Sequence, residues 1–276
     1  MLKIKSVALV LLSLVLLVSC EKQAKVVILH TNDTHSQVEP KADGTCGYAR
    51  RMGLIAQERK ANPDLLLFDA GDFCQGTPYF NYYGGRVEVE ALNYMRYDAV
   101  ALGNHEFDNG LDSLAMLIDM LNCPVVCANY DPAGTVLEGL LKPYVVIERA
   151  GVRVGVMGLG VNPEGLIAMK NFLPMHYLDP LPVADSISTL LRDSLRCDLV
   201  VCLSHLGTQY ENGKKVSDED VAAATHNIDV IIGGHTHKMF PDYHVKNADG
   251  RDVLLSQMGK SCAAIGKIEI ELSNKQ

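Results

Sequence analysis

Histidine, aspartate and asparagine side chains occur in five short clusters along the 276-residue chain. The members that could bind a metal are Asp33, His35, Asp72, Asn104, His205, His235 and His237. Asp33 and His35 lie two residues apart, and His235 and His237 repeat that spacing. Because side chains of an extended segment point alternately to opposite faces, each of these pairs can direct both donors at one point. The spacing therefore favours metal ligation.

The donor types limit which metals the set would hold. Imidazole and carboxylate groups without thiolate are typical of Zn²⁺, Mn²⁺ or Fe sites, and the amide oxygen of Asn104 keeps Mn²⁺, Mg²⁺ and Ca²⁺ open. One ion usually takes about four to six ligands, so the seven donors exceed a single site. A bridging carboxylate can join two ions about 3.5–4 Å apart. The set therefore predicts two divalent metal ions, Zn²⁺, Mn²⁺ or similar.

Each cluster comes directly after an apolar run that predicts a buried strand. These runs are Val26–Leu29, Leu65–Phe68, Ala99–Leu102, Leu199–Leu203 and Val230–Ile232. In α/β sheets, ligands bind outside the carboxyl ends of the strands, so clusters at this edge can converge on one place. Turn chemistry alone would select Gly, Asn, Asp and Ser rather than repeated histidines.

Helical patterns alternate with these strands, which predicts an α/β fold with largely parallel pairing. The predicted helices are Tyr48–Lys60, Val87–Tyr94, Leu111–Leu121, Val183–Leu195 and Val221–Thr225. Two hairpins would make the sheet structure mixed. The hairpin strands are Tyr144–Ile147 with Val152–Val156, and Tyr243–Val245 with Val253–Ser256. A further strand, Ile265–Leu272, is predicted to add to the second hairpin. The aromatic segment from Tyr79 to Tyr83 is interpreted as loop packing, with stacking on a base, a lid or a partner domain as the alternative.

Composition excludes several classes of protein. Hydrophobic residues make up 48% of the chain, which is enough for a core and excludes a mostly disordered protein. The 25 Lys and Arg against 33 Asp and Glu give a net charge of −8, which argues against a protein that coats nucleic acid. A small anionic substrate stays compatible with this charge, because a metal site reverses the local field.

The first twenty residues predict a lipoprotein signal peptide. Lys3 and Lys5 precede the apolar run Val7–Val18, whose helix would reach about 18 Å, short of a hydrocarbon core of about 30 Å. The run ends at Ser19-Cys20, which resembles a bacterial lipobox and predicts cleavage before a lipidated Cys20. An ordinary signal followed by a chance cysteine is the alternative. The remaining chain, residues 21–276, would be one domain anchored to the lipid bilayer of the cell envelope, outside the cytoplasm.

The motifs resemble those of a known family. At His30–His35, Gly71-Asp72, Gly103–Asp108, His205 and Gly233–His237 the chain resembles the calcineurin-like metallophosphoesterases in order and residue type. More closely, it resembles the N-terminal catalytic domain of secreted bacterial 5′-nucleotidases and 2′,3′-cyclic phosphodiesterases. The resemblance implies two mixed β-sheets packed as a sandwich and flanked by helices.

The resemblance also implies a role for each donor. The first ion would be held by Asp33, His35, Asp72 and His237. Asp72 would bridge to a second ion, which would be completed by Asn104, His205 and His235. A catalytic dyad would be formed by His105 and Asp108.

One departure from the family concerns length. Members of the nucleotidase branch continue into a C-terminal nucleotide-binding domain, whereas this chain ends at Gln276, so that domain is expected to be absent. Either a separate nucleotide-binding polypeptide supplies it, or the substrate is not a nucleotide.

The predicted function is a binuclear phosphohydrolase that releases phosphate from a small phosphate ester, most simply as a 5′-nucleotidase. Metal ions lower the pKa of bound water toward 7, so the hypothesis is attack by metal-bound hydroxide, assisted by His105 and Asp108. One alternative is a sulfur-ester hydrolase of the related sulfur-oxidation branch. Another is a metal-binding subunit that is active only with the separate nucleotide-binding chain.

Overall fold

Strands and helices alternate along the chain in a computed structural model that describes residues 24–210 and 215–272. In chain order the strands are β1 (Ala24–Thr31), β2 (Leu66–Asp69), β3 (Ala99–Ala101), β4 (Val125–Val126), β5 (Tyr130–Asp131), β6 (Leu141–Lys142), β7 (Tyr144–Arg149), β8 (Val152–Leu159), β9 (His176–Tyr177), β10 (Leu199–Ser204), β11 (Val230–Ile232), β12 (Met239–Lys246), β13 (Asp252–Met258) and β14 (Gly266–Leu272). The helices are α1 (Tyr48–Ala61), α2 (Pro78–Tyr83), α3 (Arg86–Met95), α4 (Gly110–Met120), α5 (Pro180–Thr189) and α6 (Asp218–Ala224).

The strands form two six-stranded mixed sheets and one small two-stranded sheet. In the first sheet the order is β14-β1-β2-β3-β4-β6, and only the β14–β1 pair is antiparallel. In the second sheet the order is β12-β13-β11-β10-β8-β7, with antiparallel pairs at both edges. The central strands of both sheets are therefore parallel, so their carboxyl ends lie along one edge.

The two sheets pack face to face around an apolar core. Ile28 and Phe68 point inward from the first sheet and meet Val156, Leu203 and Ile232 of the second, all fully buried. Alternation along β1 sends its other side chains to the outer face, where they pack with α1, α3 and α4. The outer face of the second sheet packs against α5 and α6 in the same way. This arrangement is a sandwich with helices on both outer faces, and the predicted fold class is confirmed.

Three details differ from the sequence prediction. The aromatic segment after Thr77 is the short helix α2, which begins with Pro78 at its first position, where the missing N–H costs nothing. The helix predicted to end at Leu195 changes after Thr189 into a π-helical turn, because the Leu195 N–H bonds to the Leu190 carbonyl oxygen. The last strand, β14, leaves the second sheet and pairs with β1 of the first.

Two predictions concern the N-terminal segment. Residues 1–20 and the lipidation site Cys20 lie outside the described residues, so these remain predictions. Within residues 24–210 and 215–272, every helix is too short or too polar to cross a bilayer.

Candidate active site

The five polar clusters meet at the edge where the parallel strands of both sheets end. The loops after β1, β2 and β3 approach from the first sheet, and those after β10 and β11 approach from the second. Backbone hydrogen bonds join the loops, since the Asp33 N–H donates to the Gly71 carbonyl and the His35 N–H donates to the Asp72 carbonyl, both at 2.9 Å. The site is therefore built on two rigid sheets rather than on one flexible loop.

One group of donors consists of Asp33, His35 and His237, whose ligand atoms all lie within 4.8 Å of one another. The Asp33 Oδ1 atom lies 3.4 Å from His237 Nε2 and 4.0 Å from His35 Nε2. The two Nε2 atoms are 2.9 Å apart. Two donors on one tetrahedral zinc ion, each at about 2.1 Å, would be about 3.4 Å apart. The spacing of these atoms fits one ion.

A second group consists of Asp72, His205 and His235, again within 4.8 Å of one another. His205 Nε2 lies 3.1 Å from Asp72 Oδ2, and His235 Nδ1 lies 3.1 Å from the amide oxygen of Asn104. The two groups are adjacent, because Asp33 Oδ1 is only 3.7 Å from His205 Nε2. All seven predicted ligands are therefore brought together at one place.

The imidazole of His205 provides the strongest indication that the donors hold a cation. Its Nδ1 lies 2.7 Å from the carbonyl oxygen of Ala70, which can only accept, so Nδ1 carries the proton. Its Nε2 is fully buried and is not aligned for a hydrogen bond with Asp72 or any other described residue. A buried ring nitrogen without an aligned partner is costly whether or not it carries a proton, and a divalent cation in place of that proton would satisfy it.

Burial and mutual attraction set the ionisation of these groups. Burial disfavours charge on both Asp72 and His205, yet their attraction outweighs it, lowering the pKa of Asp72 and raising that of His205. His235 behaves differently, because burial and the nearby His205 charge lower its pKa to about 4. Its ring is therefore neutral at pH 7, as a metal ligand must be. The buried carboxylates thus favour positive charge at His205, whereas the His235 imidazole beside it stays neutral.

The backbone is strained at most of the donors. Asp33, His35, Asp72, His235 and His237 all have positive φ angles, between 46° and 68°. Residues other than glycine adopt this left-handed conformation at a cost of about 1–3 kcal/mol each. Such strain persists where the surrounding structure enforces it, typically at functional sites. The donors of each i, i+2 pair therefore lie on left-handed turns rather than on the extended segments that the sequence analysis assumed.

Two glycines allow the loops to approach closely. A Cβ on Gly103 would lie 2.1 Å from Asp72 Oδ1, and a Cβ on Gly234 would lie 2.7 Å from His205 Nδ1. Any side chain at either position would displace a donor, so the glycines beside the clusters have a steric explanation.

His105 and Asp108 lie beside the donors, and their side chains contact each other. His105 Nδ1 is 2.9 Å from Asp108 Oδ2, and both side chains are partly exposed. Burial lowers the pKa of His105, but attraction to Asp72 and the hydrogen bond with Asp108 raise it above its usual value. The backbone N–H of His105 also donates a hydrogen bond to Asp72 Oδ1, at 2.9 Å. Its imidazole reaches the donor group as well, since His35, Asp72 and His105 lie within 4.8 Å of one another.

Three residues that support the donors have roles that sequence patterns do not reveal. The buried Glu106 carboxylate accepts hydrogen bonds from the backbone N–H groups of Asp72, Cys74 and Gly103. It joins the loops after β2 and β3, so its role in the structure is to hold these two loops together.

Asn32 and Gln257 support the other loops. The Asn32 amide donates to Asp33 Oδ2 at 2.6 Å and accepts from the Met258 N–H at 2.8 Å. The Gln257 amide donates to the Gly234 carbonyl at 2.6 Å and accepts from the Lys238 N–H, which fixes both ends of the segment carrying His235 and His237. Gln257 lies within β13, and no sequence pattern marks this role.

A model of the calcineurin-like phosphoesterase family matches residues 26–239. This range contains all seven donors and the His105–Asp108 pair. The chain therefore belongs to the calcineurin-like phosphoesterase family. The predicted family and the predicted class of enzyme, a phosphoester hydrolase, are confirmed.

Known relatives and solved structures agree with this assignment. Snake venom 5′-nucleotidase from Naja atra is 35% identical over 231 residues, covering 77% of this chain and 41% of the venom protein. The 5′-nucleotidase precursor from Thermus thermophilus superposes with a TM-score of 0.80 at 33% identity, covering 91% of this chain and 53% of that one. Calcineurin-like phosphoesterase YfkN from Bacillus subtilis gives 0.77 at 27% identity, covering 92% and 86%. The chain spans less than half the length of the curated 5′-nucleotidases it matches.

Proposed function

We propose that the chain is a binuclear metal-dependent phosphohydrolase of the 5′-nucleotidase type. The observation that carries this proposal is the convergence of seven donor side chains around the unpartnered Nε2 of His205. Support also comes from relatives that are named 5′-nucleotidases and are 30% to 35% identical to this chain over an aligned region of less than half their own length.

Each donor has an assigned role in this proposal. The first ion would be held by Asp33, His35, Asp72 and His237. Asp72 would be shared with the second ion, which would be completed by Asn104, His205 and His235. The nitrogen and oxygen donors suit Zn²⁺ or Mn²⁺. Bound divalent cations would lower the pKa of a water molecule and neutralise charge on the phosphoryl oxygens.

The chain's own groups then position and protonate the ester. His105 groups with His35 and Asp72 within 4.8 Å, and in this proposal it donates a hydrogen bond or proton to an oxygen of the reacting phosphate. Asp108 holds the proton on Nδ1 through the 2.9 Å contact, which fixes the tautomer and the ring orientation. The backbone N–H of His105 orients Asp72 independently of its imidazole.

The proposed substrate is a small phosphate ester, with a nucleoside monophosphate as the first candidate. The proposal leaves room for a separate nucleotide-binding polypeptide as a partner, and it includes no nucleic acid. We also propose attachment to the envelope membrane through lipidated Cys20, supported by the lipobox-like sequence. Cys20→Ser should abolish metabolic labelling with palmitate and release the chain from the membrane fraction.

A phosphate-release screen tests the activity directly. The purified chain would be loaded with Mn²⁺, Zn²⁺, Co²⁺ or Ca²⁺ and supplied with mononucleotides, cyclic nucleotides and an aryl phosphate. We expect phosphate release, about two metal ions per chain, and loss of both in Asp72→Ala. His244→Ala is the matched control, since His244 lies on β12 and pairs only with the exposed Asp242.

Other outcomes of this screen would overturn parts of the proposal. Sulfate release from a sulfur ester without phosphate release would favour the sulfur-ester hydrolase. Activity that appears only after a second polypeptide is added would favour the metal-binding subunit. One metal ion per chain would contradict the binuclear assignment.

A further inference from the structure

A cavity of about 310 Å³ lies at the carboxyl edge of the second sheet, beside the donor cluster. Two phenol rings, those of Tyr177 and Tyr210, contribute to its wall together with the apolar side chains of Val161 and Leu206. This volume, and mostly apolar walls with a few polar groups, are typical of sites for small organic molecules. None of the lining residues is among the seven donors or the His105–Asp108 pair.

The loop after β10 connects this cavity with the metal donors. Leu206 follows His205 directly, and the Tyr210 hydroxyl donates a hydrogen bond to the Leu206 carbonyl. A Cβ on Gly207 would lie 2.6 Å from the Tyr210 hydroxyl and 2.9 Å from Thr236 Cγ2. The Tyr210 hydroxyl therefore lies close to Thr236, the residue between the two histidines of the second i, i+2 pair. A molecule in the cavity would be a near neighbour of a phosphate held at the donors.

The polar groups of the cavity match a particular kind of ligand. Asn162 and Asp179 line the cavity, and their Oδ1 atoms already accept from the backbone N–H groups of Glu164 and Leu181. The Asn162 NH₂ group and the second Asp179 oxygen are left as a donor and an acceptor for a ligand. Lys215 adds a positive charge, and its Nζ lies 5.7 Å from the centroid of the Tyr210 ring. Phenol rings bind flat rings by stacking, and the amide and carboxylate suit a ring edge that carries polar atoms. A nucleobase has both properties, whereas an aliphatic alcohol has neither.

We infer that this cavity binds the leaving group of the substrate, and that this group is a nucleoside whose base lies against Tyr177 and Tyr210. The inference rests on the proposed function, because it assumes that the phosphate half of the same molecule occupies the metal centre. It adds a base-recognition site within this chain, built from the loops that follow β8, β9 and β10.

Nucleoside binding gives a readout that does not depend on activity. The metal-free full chain would be dialysed against adenosine and against uridine, and bound nucleoside would be measured. We expect binding by the wild type and a loss of about 5-fold to 150-fold in affinity in Tyr177→Ala, since base stacking on one aromatic ring is worth that much. Tyr177→Leu keeps the bulk without the flat ring and should lose a similar factor if folding is intact. The matched control is Tyr94→Ala, because Tyr94 is an exposed tyrosine at the end of α3 and does not line this cavity.

Two results of this experiment would overturn the inference. The first is the absence of nucleoside binding by the wild type. The second is a nucleoside affinity in Tyr177→Ala and Tyr177→Leu that equals the affinity of the control variant Tyr94→Ala.

Kinetics with two matched esters separate this inference from the proposed function. Adenosine 5′-phosphate and ribose 5-phosphate share the phosphate and sugar, and only the first carries a base. We expect Tyr177→Leu to lower kcat/KM for the nucleotide and to leave the value for ribose 5-phosphate unchanged. If the wild type hydrolyses neither ester but binds nucleosides, the proposed function fails and the leaving-group role fails with it, while the cavity keeps its assignment as a nucleoside site. If it hydrolyses both esters but binds no nucleoside, only the cavity assignment fails.

Discussion

Replacing His105 by alanine removes an imidazole that lies beside the metal donors without removing any of the seven assigned ligands. A positioned general acid contributes about 10²-fold to 10⁴-fold in rate, so kcat should fall by that factor. Metal content should stay at the wild-type value, because the bond from this residue to Asp72 Oδ1 comes from the backbone N–H, at 2.9 Å, and survives the substitution. Phosphate release and elemental analysis of the dialysed protein measure the two quantities.

A second variant separates orientation from proton donation. Asp108→Asn keeps an oxygen that can accept from His105 Nδ1 but removes the negative charge opposite the imidazole. Loss of a residue that orients a functional histidine typically costs about 10-fold to 100-fold, so this variant should retain more activity than His105→Ala. The matched control pair is His244 and Asp242, which have the same 2.9 Å separation on an exposed strand. His244→Ala should change neither turnover nor metal content.

The alternative assignment of His105 gives a different result. His105 lies within 4.8 Å of His35 and Asp72 through their ligand atoms, so it has the geometry of a metal ligand as well. If it binds metal, His105→Ala will lose part of the bound metal together with its activity. Wild-type turnover in this variant, or a fall in its metal content, would refute the dyad.

Three further predictions follow from the structure. Burial raises the pKa of Asp218 to about 7, above about 3.9 in an unfolded chain, so the metal-free protein should lose stability on the order of a few kcal/mol as pH rises from 4 to 7. The free energy of unfolding, measured with urea at pH 5 and at pH 8, should differ less between the two pH values in Asp218→Asn than in the wild type. An equal difference in both proteins would contradict this. Gly158→Ala should lower Tm strongly, because its Cβ would lie 2.0 Å from the Val126 carbonyl oxygen where the two sheets meet. Gly53→Ala on α1 is the control, because its Cβ meets nothing within 4 Å, and it should leave Tm unchanged or raised. Zn²⁺ or Mn²⁺ should raise the Tm of the metal-free chain, since an ion at 100 times its Kd adds about 2.7 kcal/mol. Asp33→Ala should reduce that rise, and an unchanged rise would place the ion elsewhere.

The central strands and the convergence of the donors could be predicted because both depend on local patterns. Val230–Ile232 is a short β-branched run, and its strand in the structure has the same bounds. The parallel order of such strands brings their carboxyl ends to one edge, so a strand-end histidine such as His205 is placed by the strand that precedes it. No long-range information is needed for that step.

The parts that sequence patterns miss depend on contacts between distant segments. Gln257 supports Gly234 and Lys238 only because β13 lies beside β11, which its own sequence does not specify. The pairing of β14 with β1 joins residues more than two hundred positions apart. The alternation of apolar residues in β14 does not indicate which strand it pairs with. The helix α2 has one buried residue, Phe80, so its apolar periodicity is too short to predict a helix.

Folding and metal binding are supported by different parts of this molecule. The apolar sandwich beneath the site is fully buried and contains residues such as Ile28, Phe68 and Leu203, which need no ion to pack. The donors lie above it on loops with left-handed backbone, where several candidate ligand atoms lie within 4 Å of one another. That arrangement raises the energy of the metal-free state locally, and a divalent cation lowers it again. The backbone strain therefore affects metal affinity and coordination geometry rather than folding, because the apolar core holds the donors in place before an ion binds.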